Sequence, residues 1–261
     1  APDLFDTNYL SGDDIYEKIC RGKSCSPVGF PGAPDRLWKA QGDGKFLLVP
    51  PQSPEVDGKG LGIIVFRESG RHRPSLFIAN DQVPNFLWRN ESAEGEAAMH
   101  WRDDAFVRGV AFNQNGLAMA SMGIAADDAN GDGRIDFYVT TFREESSMLL
   151  IQDADGQFSD HANEAGLYSV TWPFVGWGTQ FLDVDRDGAV DLVGVNGHVD
   201  DYRDQGGEYQ MRSHLLMNTG TGRFIAPSDE SIGPFFARKR LGRGLSRLDW
   251  DGDGRMDFAV S

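Results

Sequence analysis

The sequence is poor in cysteine and in basic residues. Only two cysteines, Cys20 and Cys25, occur among 261 residues, and no histidine lies beside them, so they cannot supply the four ligands of a structural zinc site. Lysine and arginine number 25 against 40 aspartates and glutamates, which gives a formal net charge of −15. This balance argues against nucleic-acid binding, because binding to phosphates requires a basic face.

Long hydrophobic runs and recognised catalytic motifs are also missing. No apolar run approaches the roughly 18 residues that a membrane-spanning helix needs, so we expect no membrane insertion. The sequence contains no G-x-S-x-G, no phosphate-binding loop and no dinucleotide fingerprint. The five histidines are scattered and form no metal-binding spacing. These absences favour a binding protein over an enzyme.

What the chain does have is glycine and a repeat. Glycine occurs 32 times, which indicates many tight turns between short strands. Three segments superimpose without gaps on the pattern D-x-[DN]-x-D-G-x-x-D, and they begin at Asp128, Asp183 and Asp249. A short run rich in β-branched and aromatic residues follows each of them. Three copies of so specific a pattern indicate a repeat protein.

The repeat extends beyond the acidic loops. Glycines precede each loop, and a second apolar run ending in phenylalanine follows two of them, at 148–158 and 215–224. A partial copy lies at 35–46. Another, at 60–90, has both halves of the repeat but no acidic loop. The start-to-start spacing of about 60 residues suits a four-stranded propeller blade. Helical patterning is weak, and its best stretch is 91–108.

The acidic loops carry the residues that calcium prefers. Ca²⁺ takes six to eight oxygen ligands, and aspartates at loop positions 1, 3 and 5 direct three carboxylates inward. Glycine at position 6 permits the sharp turn, position 7 offers its carbonyl, and the aspartate at position 9 closes the shell. The predicted ligands of three calcium ions are Asp128, Asn130, Asp132, Arg134 and Asp136; Asp183, Asp185, Asp187, Ala189 and Asp191; and Asp249, Asp251, Asp253, Arg255 and Asp257.

Two other interpretations of these loops are possible. An EF-hand loop begins the same way but requires glutamate at position 12 and a following helix; position 12 is Val139, Gly194 or Val260, and β-rich sequence follows. Ordinary aspartate–glycine turns are the second alternative, although a turn alone does not need four acids together.

In the copy at 60–90, Arg67 and Arg71 occupy acidic positions, so we expect no metal there. An arginine in that loop is expected to bridge neighbouring carboxylates or carbonyls.

The pattern of glycine pair, apolar run, acidic loop and β-rich run resembles the FG-GAP/VCBS repeat family, which includes the integrin α-subunit propeller. Segments 25–37, 78–90 and 196–199 most resemble bacterial proteins similar to cartilage acidic protein 1, which often carry an ASPIC/UnbV domain. The resemblance implies an all-β, seven-bladed propeller with structural calcium, secretion and a role in adhesion or interaction. It also implies further blades or a partner chain beyond Ser261.

The expected organisation is one propeller segment with about four blades, forming an arc of a larger ring. The segments are a partial blade with a cysteine-containing insertion at 1–59, a blade without a calcium loop at 60–115, blades at 116–170 and 171–240, and the start of another blade at 241–261. The alternative is a closed four-bladed ring, in which residues 257–261 would pair with 37–49.

The function we expect is a secreted, periplasmic or cell-surface calcium-binding module that binds a protein or glycan. A polysaccharide lyase or sugar-converting enzyme on the same fold is an alternative, and it would need His, Lys, Tyr or Arg side chains converging in one deep pocket. A subunit of a larger periplasmic complex is another. Export would favour a Cys20–Cys25 disulfide over two free thiols.

Three further features have open roles. His198 lies just after the strand that follows a predicted calcium loop. Its role is either structural, within its own loop, or functional. The aromatic residues Tyr168, Trp172, Phe174 and Trp177 form either core or a binding surface. The acidic insertion at 200–208 is either a solvated loop or a partner-binding loop.

Overall fold

The computed structural model is built of antiparallel β-sheets that follow one another along the chain, and it describes residues 3–20, 23–49, 58–68, 70–92, 100–228 and 230–261. The strands are β1 Leu4–Asp6, β2 Arg36–Ala40, β3 Phe46–Val49, β4 Gly60–Phe66, β5 Ser75–Asn80, β6 Phe86–Asn90, β7 Trp101–Asp103, β8 Ile124–Asp127, β9 Asp136–Val139, β10 Met148–Gln152, β11 Phe158–Asp160, β12 Gly176–Leu182, β13 Asp191–Asn196, β14 Met211–Arg212, β15 His214–Asn218, β16 Phe224–Ile225, β17 Lys239–Arg240, β18 Leu245–Leu248 and β19 Asp257–Val260.

Three of the sheets have four strands each. Sheet one is β4-β5-β6-β7, sheet two is β8-β9-β10-β11, and sheet three is β12-β13-β15-β16. In each sheet, strands that are neighbours in the sequence are neighbours in the sheet, apart from the small β14–β17 ribbon that branches from sheet three. The expectation of an all-β protein with four-stranded antiparallel sheets is therefore confirmed.

Two smaller sheets flank this series. The N-terminal sheet has the order β1-β2-β3, and β18 and β19 form a terminal hairpin. Strand β1 was not predicted, because three residues carry too little periodicity to identify a strand. Strand β19 pairs with β18, while β2 pairs with β1 on one side and with β3 on the other. Among the described residues, the pairing that a closed four-bladed ring would need is therefore absent.

The helices are short. They are α1 Asp14–Glu17, α2 Ala105–Arg108, α3 Tyr168–Thr171 and α4 Gly233–Ala237, with 3-10 turns at Pro27–Gly29 and Arg203–Gln205. The helix expected over 91–108 is wrong for most of its described part: residues 101–103 form an edge strand of sheet one, and the helix is confined to α2. Residues 93–99 lie outside the described residues. Within the described chain, none of the helices is long and apolar enough to cross a membrane.

The first strands of successive sheets lie against one another, and glycine makes this possible. A Cβ atom on Gly62 of β4 would lie 2.2 Å from the backbone oxygen of Met122, just before β8. A Cβ on Gly123 would lie 2.0 Å from the oxygen of Trp177 in β12. Both distances are shorter than any contact that a Cβ atom can make, so the spacing between sheets requires glycine at both positions.

The apolar core is divided into layers between neighbouring sheets. Phe77 and Phe137 stack with ring centroids 4.7 Å apart between sheets one and two. Phe181 and Leu149 belong to the layer between sheets two and three, and Val193 and Leu245 to the layer between sheet three and the terminal hairpin. Sheets two and three thus bury apolar side chains on both faces, as blades of a propeller do.

The N-terminal segment crosses to sheet three. Cys20 and Cys25 form a disulfide with Cα atoms 5.3 Å apart, and the residues of its loop contact the acidic insertion. Ser24 donates hydrogen bonds from its backbone nitrogen and its hydroxyl to Asp200 Oδ1, both at 2.9 Å. The Lys23 side chain donates to the Asp201 carbonyl and lies 4.0 Å from the Tyr202 ring centroid.

Thiol titration tests the disulfide. We expect the purified, unreduced protein to show no reactive thiol after denaturation, because both sulfurs are bonded to each other. The same sample after reduction should show two. Two thiols without reduction would mean that the cysteines are free in the native protein.

Candidate metal centres

The three acidic loops occupy the same place in three sheets. Each connects the first strand to the second: 128–136 joins β8 to β9, 183–191 joins β12 to β13, and 249–257 joins β18 to β19. The aspartate at position 9 is in every case the first residue of the second strand. The repeat therefore places three equivalent carboxylate clusters at the same end of successive sheets.

The first aspartate of each loop organises the turn. In the second loop, Asp183 accepts hydrogen bonds from the backbone nitrogens of Asp187 at 3.1 Å and Gly188 at 3.2 Å. The first and third loops repeat both bonds from Asp128 and Asp249. The glycine at position 6 has φ near +80° to +90° in all three loops, at 82°, 92° and 80°, which a residue with a Cβ adopts at a cost.

In the first and second loops, two backbone hydrogen bonds hold the aspartate at position 9. Asp136 is fully buried and accepts backbone hydrogen bonds from Gln152 at 2.8 Å and Ala129 at 3.0 Å. Burial raises its pKa to about 6, and the nearby charges of Asp132 and Asp128 add to the rise. Asp191 of the second loop has the same two kinds of backbone bond and a raised pKa. A cation in the loop would oppose this rise, because positive charge favours the ionised carboxylate.

The donor set fits calcium best in the second and third loops. Carboxylate oxygens of Asp183, Asp185 and Asp187 lie within 4.8 Å of one another, and so do those of Asp249, Asp251 and Asp257. Oxygen ligands separated by this distance can share one cation with bonds of about 2.3–2.6 Å. The chemistry of the cluster is all oxygen, which suits a hard cation and not a soft one.

The residue at position 7 distinguishes the loops. In the first loop, the Arg134 guanidinium and the Asn130 amide both donate to Asp132 Oδ2. In the third loop, Arg255 pairs with Asp253 through its side chain. Position 7 of the second loop is Ala189, which has no side chain that could compete for the carboxylates.

Calcium affinity should therefore differ among the loops, with 128–136 binding most weakly. This loop lacks one carboxylate, since position 3 is Asn130, and its Asp132 is engaged by two side chains. We expect Arg134→Ala to tighten calcium binding at this loop severalfold, since the competing guanidinium is removed. Calorimetry on variants that retain a single intact loop measures each affinity, with Arg143→Ala as the control arginine. Equal affinities in the three loops would contradict this order.

The loop at 67–75 in sheet one holds an ion-pair network. Arg71 donates to the Asn90 carbonyl at 2.9 Å, which agrees with the expectation that an arginine reaches a neighbouring carbonyl there. The sequence did not indicate the main feature: Glu68 accepts from Ser75 at 2.7 Å and from Arg89 at 2.9 Å, and Arg89 pairs with Asp104 at 2.7 Å. In this loop arginine side chains thus supply the positive charge next to the carboxylates.

Two other features of the sequence are rearranged by the fold. The four aromatic residues do not form one cluster: Tyr168 and Trp172 stack at the surface with centroids 5.4 Å apart, whereas Phe174 and Trp177 pack inside with Met122. The acidic insertion is tied to Lys23 and Ser24, as described above, and Glu208 pairs with Lys239. It is neither a free loop nor an isolated acidic patch.

Comparison with known families supports the repeat. Residues 128–194 match the FG-GAP-like repeat. The matched segment contains the first and second acidic loops and the strands between them, β9 to β12, so it covers one complete period. No curated protein matches the chain, and the closer resemblance to proteins similar to cartilage acidic protein 1 has no support from these comparisons. The FG-GAP repeat fits a propeller module of the kind used in protein interactions.

Proposed function

We propose that this chain is an extracellular calcium-binding FG-GAP propeller module that binds a protein or glycan, with calcium in a structural role. The observation that carries the proposal is the threefold recurrence of one loop, with the same internal hydrogen bonds, at the same position in successive sheets. The disulfide between Cys20 and Cys25 supports an oxidising compartment. A seven-bladed ring, of which these sheets would form an arc, is part of the proposal.

The role of calcium follows from the loop geometry. The carboxylates lie at turns between strands, at a distance from any candidate catalytic side chain. Their mutual repulsion destabilises the folded state when no cation is present. A cation would join the start of the second strand to the turn before it. In this way calcium would stiffen the sheets of the module.

Counting bound calcium tests the proposal. We expect equilibrium dialysis to give three ions per chain, and two after Asp183→Asn combined with Asp187→Asn. The matched control is Asp153→Asn, because Asp153 makes an ordinary turn in which its Oδ1 accepts backbone hydrogen bonds from Asp155 and Gln157, both at 2.9 Å. A count near zero, or an unchanged count in the double variant, would contradict the metal assignment.

A carbohydrate-active enzyme is the second candidate, and one observation favours it. Tyrosine, arginine and histidine side chains from distant parts of the chain line a single cavity: Tyr9, Arg143, His198 and Tyr202. Incubation with neutral polysaccharides tests this candidate through the release of new reducing ends, and incubation with uronate-containing polysaccharides tests it through unsaturated products. If the His198→Gln variant still releases products, His198 takes no part in the reaction. If the protein binds a polysaccharide but releases no product, the interaction module is favoured.

A further inference from the structure

The cavity lies at the opposite end of the sheets from the acidic loops. Its volume is about 880 Å³, within the range of small-molecule sites. Asp81, Phe142 and His198 line it, and each follows shortly after the second strand of a sheet, after β5, β9 and β13 respectively. The acidic loops precede two of these second strands, β9 and β13, and the loop at 67–75 precedes β5. The cavity is thus built where the second strands of three successive sheets end, and it is closed by Tyr9 and residues 24–27.

His198 brings a buried polar group to this cavity. Its side chain is largely enclosed, with the residue 3% exposed, and its Nδ1 accepts a hydrogen bond from the Asp200 backbone nitrogen at 3.1 Å. Burial lowers the pKa of the imidazole, and the charge of Arg143 lowers it further, so the ring is neutral near pH 7. A neutral ring that accepts at Nδ1 carries its proton on Nε2. Among the described residues, that nitrogen has no hydrogen-bond partner.

Asp81 and Tyr9 supply a second polar group. The Tyr9 hydroxyl donates to Asp81 Oδ2 at 2.5 Å, and the aspartate is 8% exposed. Burial raises the pKa of Asp81, against the opposing effects of Tyr9 and Lys59. One carboxylate oxygen is therefore committed to Tyr9, and Oδ1 is left to accept a hydrogen bond from a ligand in the cavity.

The backbone around the cavity is strained. In the described chain, three non-glycine residues have positive φ, and two of them are at this site: Gln82 with φ 58° lines the cavity, and Glu144 with φ 64° follows Arg143. Such conformations are unfavourable for residues with a Cβ atom and are concentrated at functional sites. The third, Arg186, lies in an acidic loop.

The walls are aromatic and their charges are balanced. Trp177 and Tyr202 each have a cation over the ring, from Arg243 at 4.5 Å and Lys23 at 4.0 Å, and Phe142 meets the His198 ring edge-on. Arg143 pairs with Glu144 at 3.3 Å. Asp200 accepts both bonds from Ser24 described above. Each charged side chain that lines the described cavity has an opposite charge nearby: Glu144 for Arg143, Lys59 for Asp81 and Lys23 for Asp200.

We propose that this cavity binds a neutral saccharide of one or two rings. A sugar offers hydroxyl groups that both donate and accept, matching Asp81 Oδ1 and His198 Nε2, and apolar C–H faces that pack on aromatic rings. The inference rests on the proposed interaction function and specifies its glycan ligand. It does not depend on calcium, since the cavity and the loops lie at opposite ends of the sheets.

Ligand-observed NMR on the full chain tests the proposal. The probes are the free sugars glucose, galactose, mannose, rhamnose, maltose and lactose, with glucuronate and glucosamine as charged counterparts. We expect at least one neutral sugar to show saturation transfer and competition by a second neutral sugar. Affinity should fall about tenfold in His198→Gln and in Asp81→Asn, as expected when one buried polar partner is changed.

Two substitutions outside the cavity are the matched controls. His161→Gln changes a histidine that bonds Ser159 at 2.9 Å, and Trp250→Phe changes an exposed ring in the third acidic loop, at the opposite end of the sheets from the cavity; both should leave sugar affinity unchanged. Trp177→Phe, which keeps an aromatic wall, is an additional cavity variant. Absence of binding to all six neutral sugars, stronger binding of a charged sugar, or equal losses in control and cavity variants would overturn the proposal. Calcium stoichiometry and melting temperature measured on the same samples separate this failure from misfolding or from failure of the metal assignment.

Discussion

Chelation of calcium will lower the melting temperature by about 5–10 °C for each loop that loses its ion. At a free calcium concentration 100 times the dissociation constant, one site contributes about 2.7 kcal/mol to the free energy of unfolding, because the ion binds the folded state alone. In a domain of this size, 1 kcal/mol corresponds to about 2–4 °C. Without the ion, the four carboxylates of loop 183–191 repel one another within a single turn.

Differential scanning calorimetry in calcium and in excess EGTA measures this effect. Magnesium at the same concentration is the ionic control, since it demands smaller octahedral cages and retains its waters. The double variant Asp183→Asn/Asp187→Asn should start from a lower melting temperature in calcium and lose less on chelation, whereas Asp153→Asn should behave as the unmodified protein does. An unchanged melting curve after dialysis has removed all calcium would refute a structural role for the ion.

Arg89→Met will destabilise sheet one to a similar extent, and independently of calcium. The Arg89 side chain lies between Glu68 and Asp104, and the side chains of the three residues are 10%, 12% and 6% exposed. Removing one partner of a buried ion pair leaves a carboxylate without its cation, which costs about 3–5 kcal/mol. We expect the lower end, about 3 kcal/mol, because Arg102 and Arg108 still reach the two carboxylates.

Thermal and urea unfolding of three variants measure this contribution. Arg102→Met is the control, because Arg102 also pairs with Asp104 but is 55% exposed, and such pairs contribute up to about 1 kcal/mol. Adding Glu68→Gln to Arg89→Met should recover part of the loss by removing a buried charge. A loss for Arg89→Met that is no larger than that of Arg102→Met, or one that appears only in EGTA, would contradict the assignment.

The same network predicts the direction of the acid dependence. Burial alone would raise the pKa of Glu68, but hydrogen bonds from Arg89 and Ser75 outweigh burial and hold the pKa below its ordinary value of 4.5. The pKa of Asp104 is lowered in the same way by Arg102 and Arg89. A carboxylate with a depressed pKa stabilises the folded state fully above its unfolded pKa, and loses that contribution as the pH falls through the folded pKa. The melting temperature of Arg89→Met should therefore approach that of the unmodified protein in acid.

Parts of the fold escaped sequence reasoning for identifiable reasons. Strand β1 has three residues, and the edge strand at 101–103 follows a polar stretch whose composition suits a helix. The aromatic residues near Trp172 are close in sequence, but the chain turns at 172–173. Trp177 then lies half-buried against Met122, while Tyr168 and Trp172 stay at the surface. Glu68 was overlooked because its partners lie 21 and 40 residues away.

The sequence by itself determined the acidic loops and the alternation of short strands around them. The hydrogen bonds inside each loop join residues at most seven positions apart, so they depend on local spacing. The bonds from Gln152 and Asn218 to the ninth aspartates come from other strands. Only the tertiary structure decided which distant residues meet. Stacking of the sheets through their first strands aligns the ends of the second strands, and this brings Asp81, Phe142 and His198 to one cavity that Tyr9 then closes. No local pattern encodes that meeting, because it depends on the distance between whole sheets, which the close approach at Gly62 and Gly123 sets.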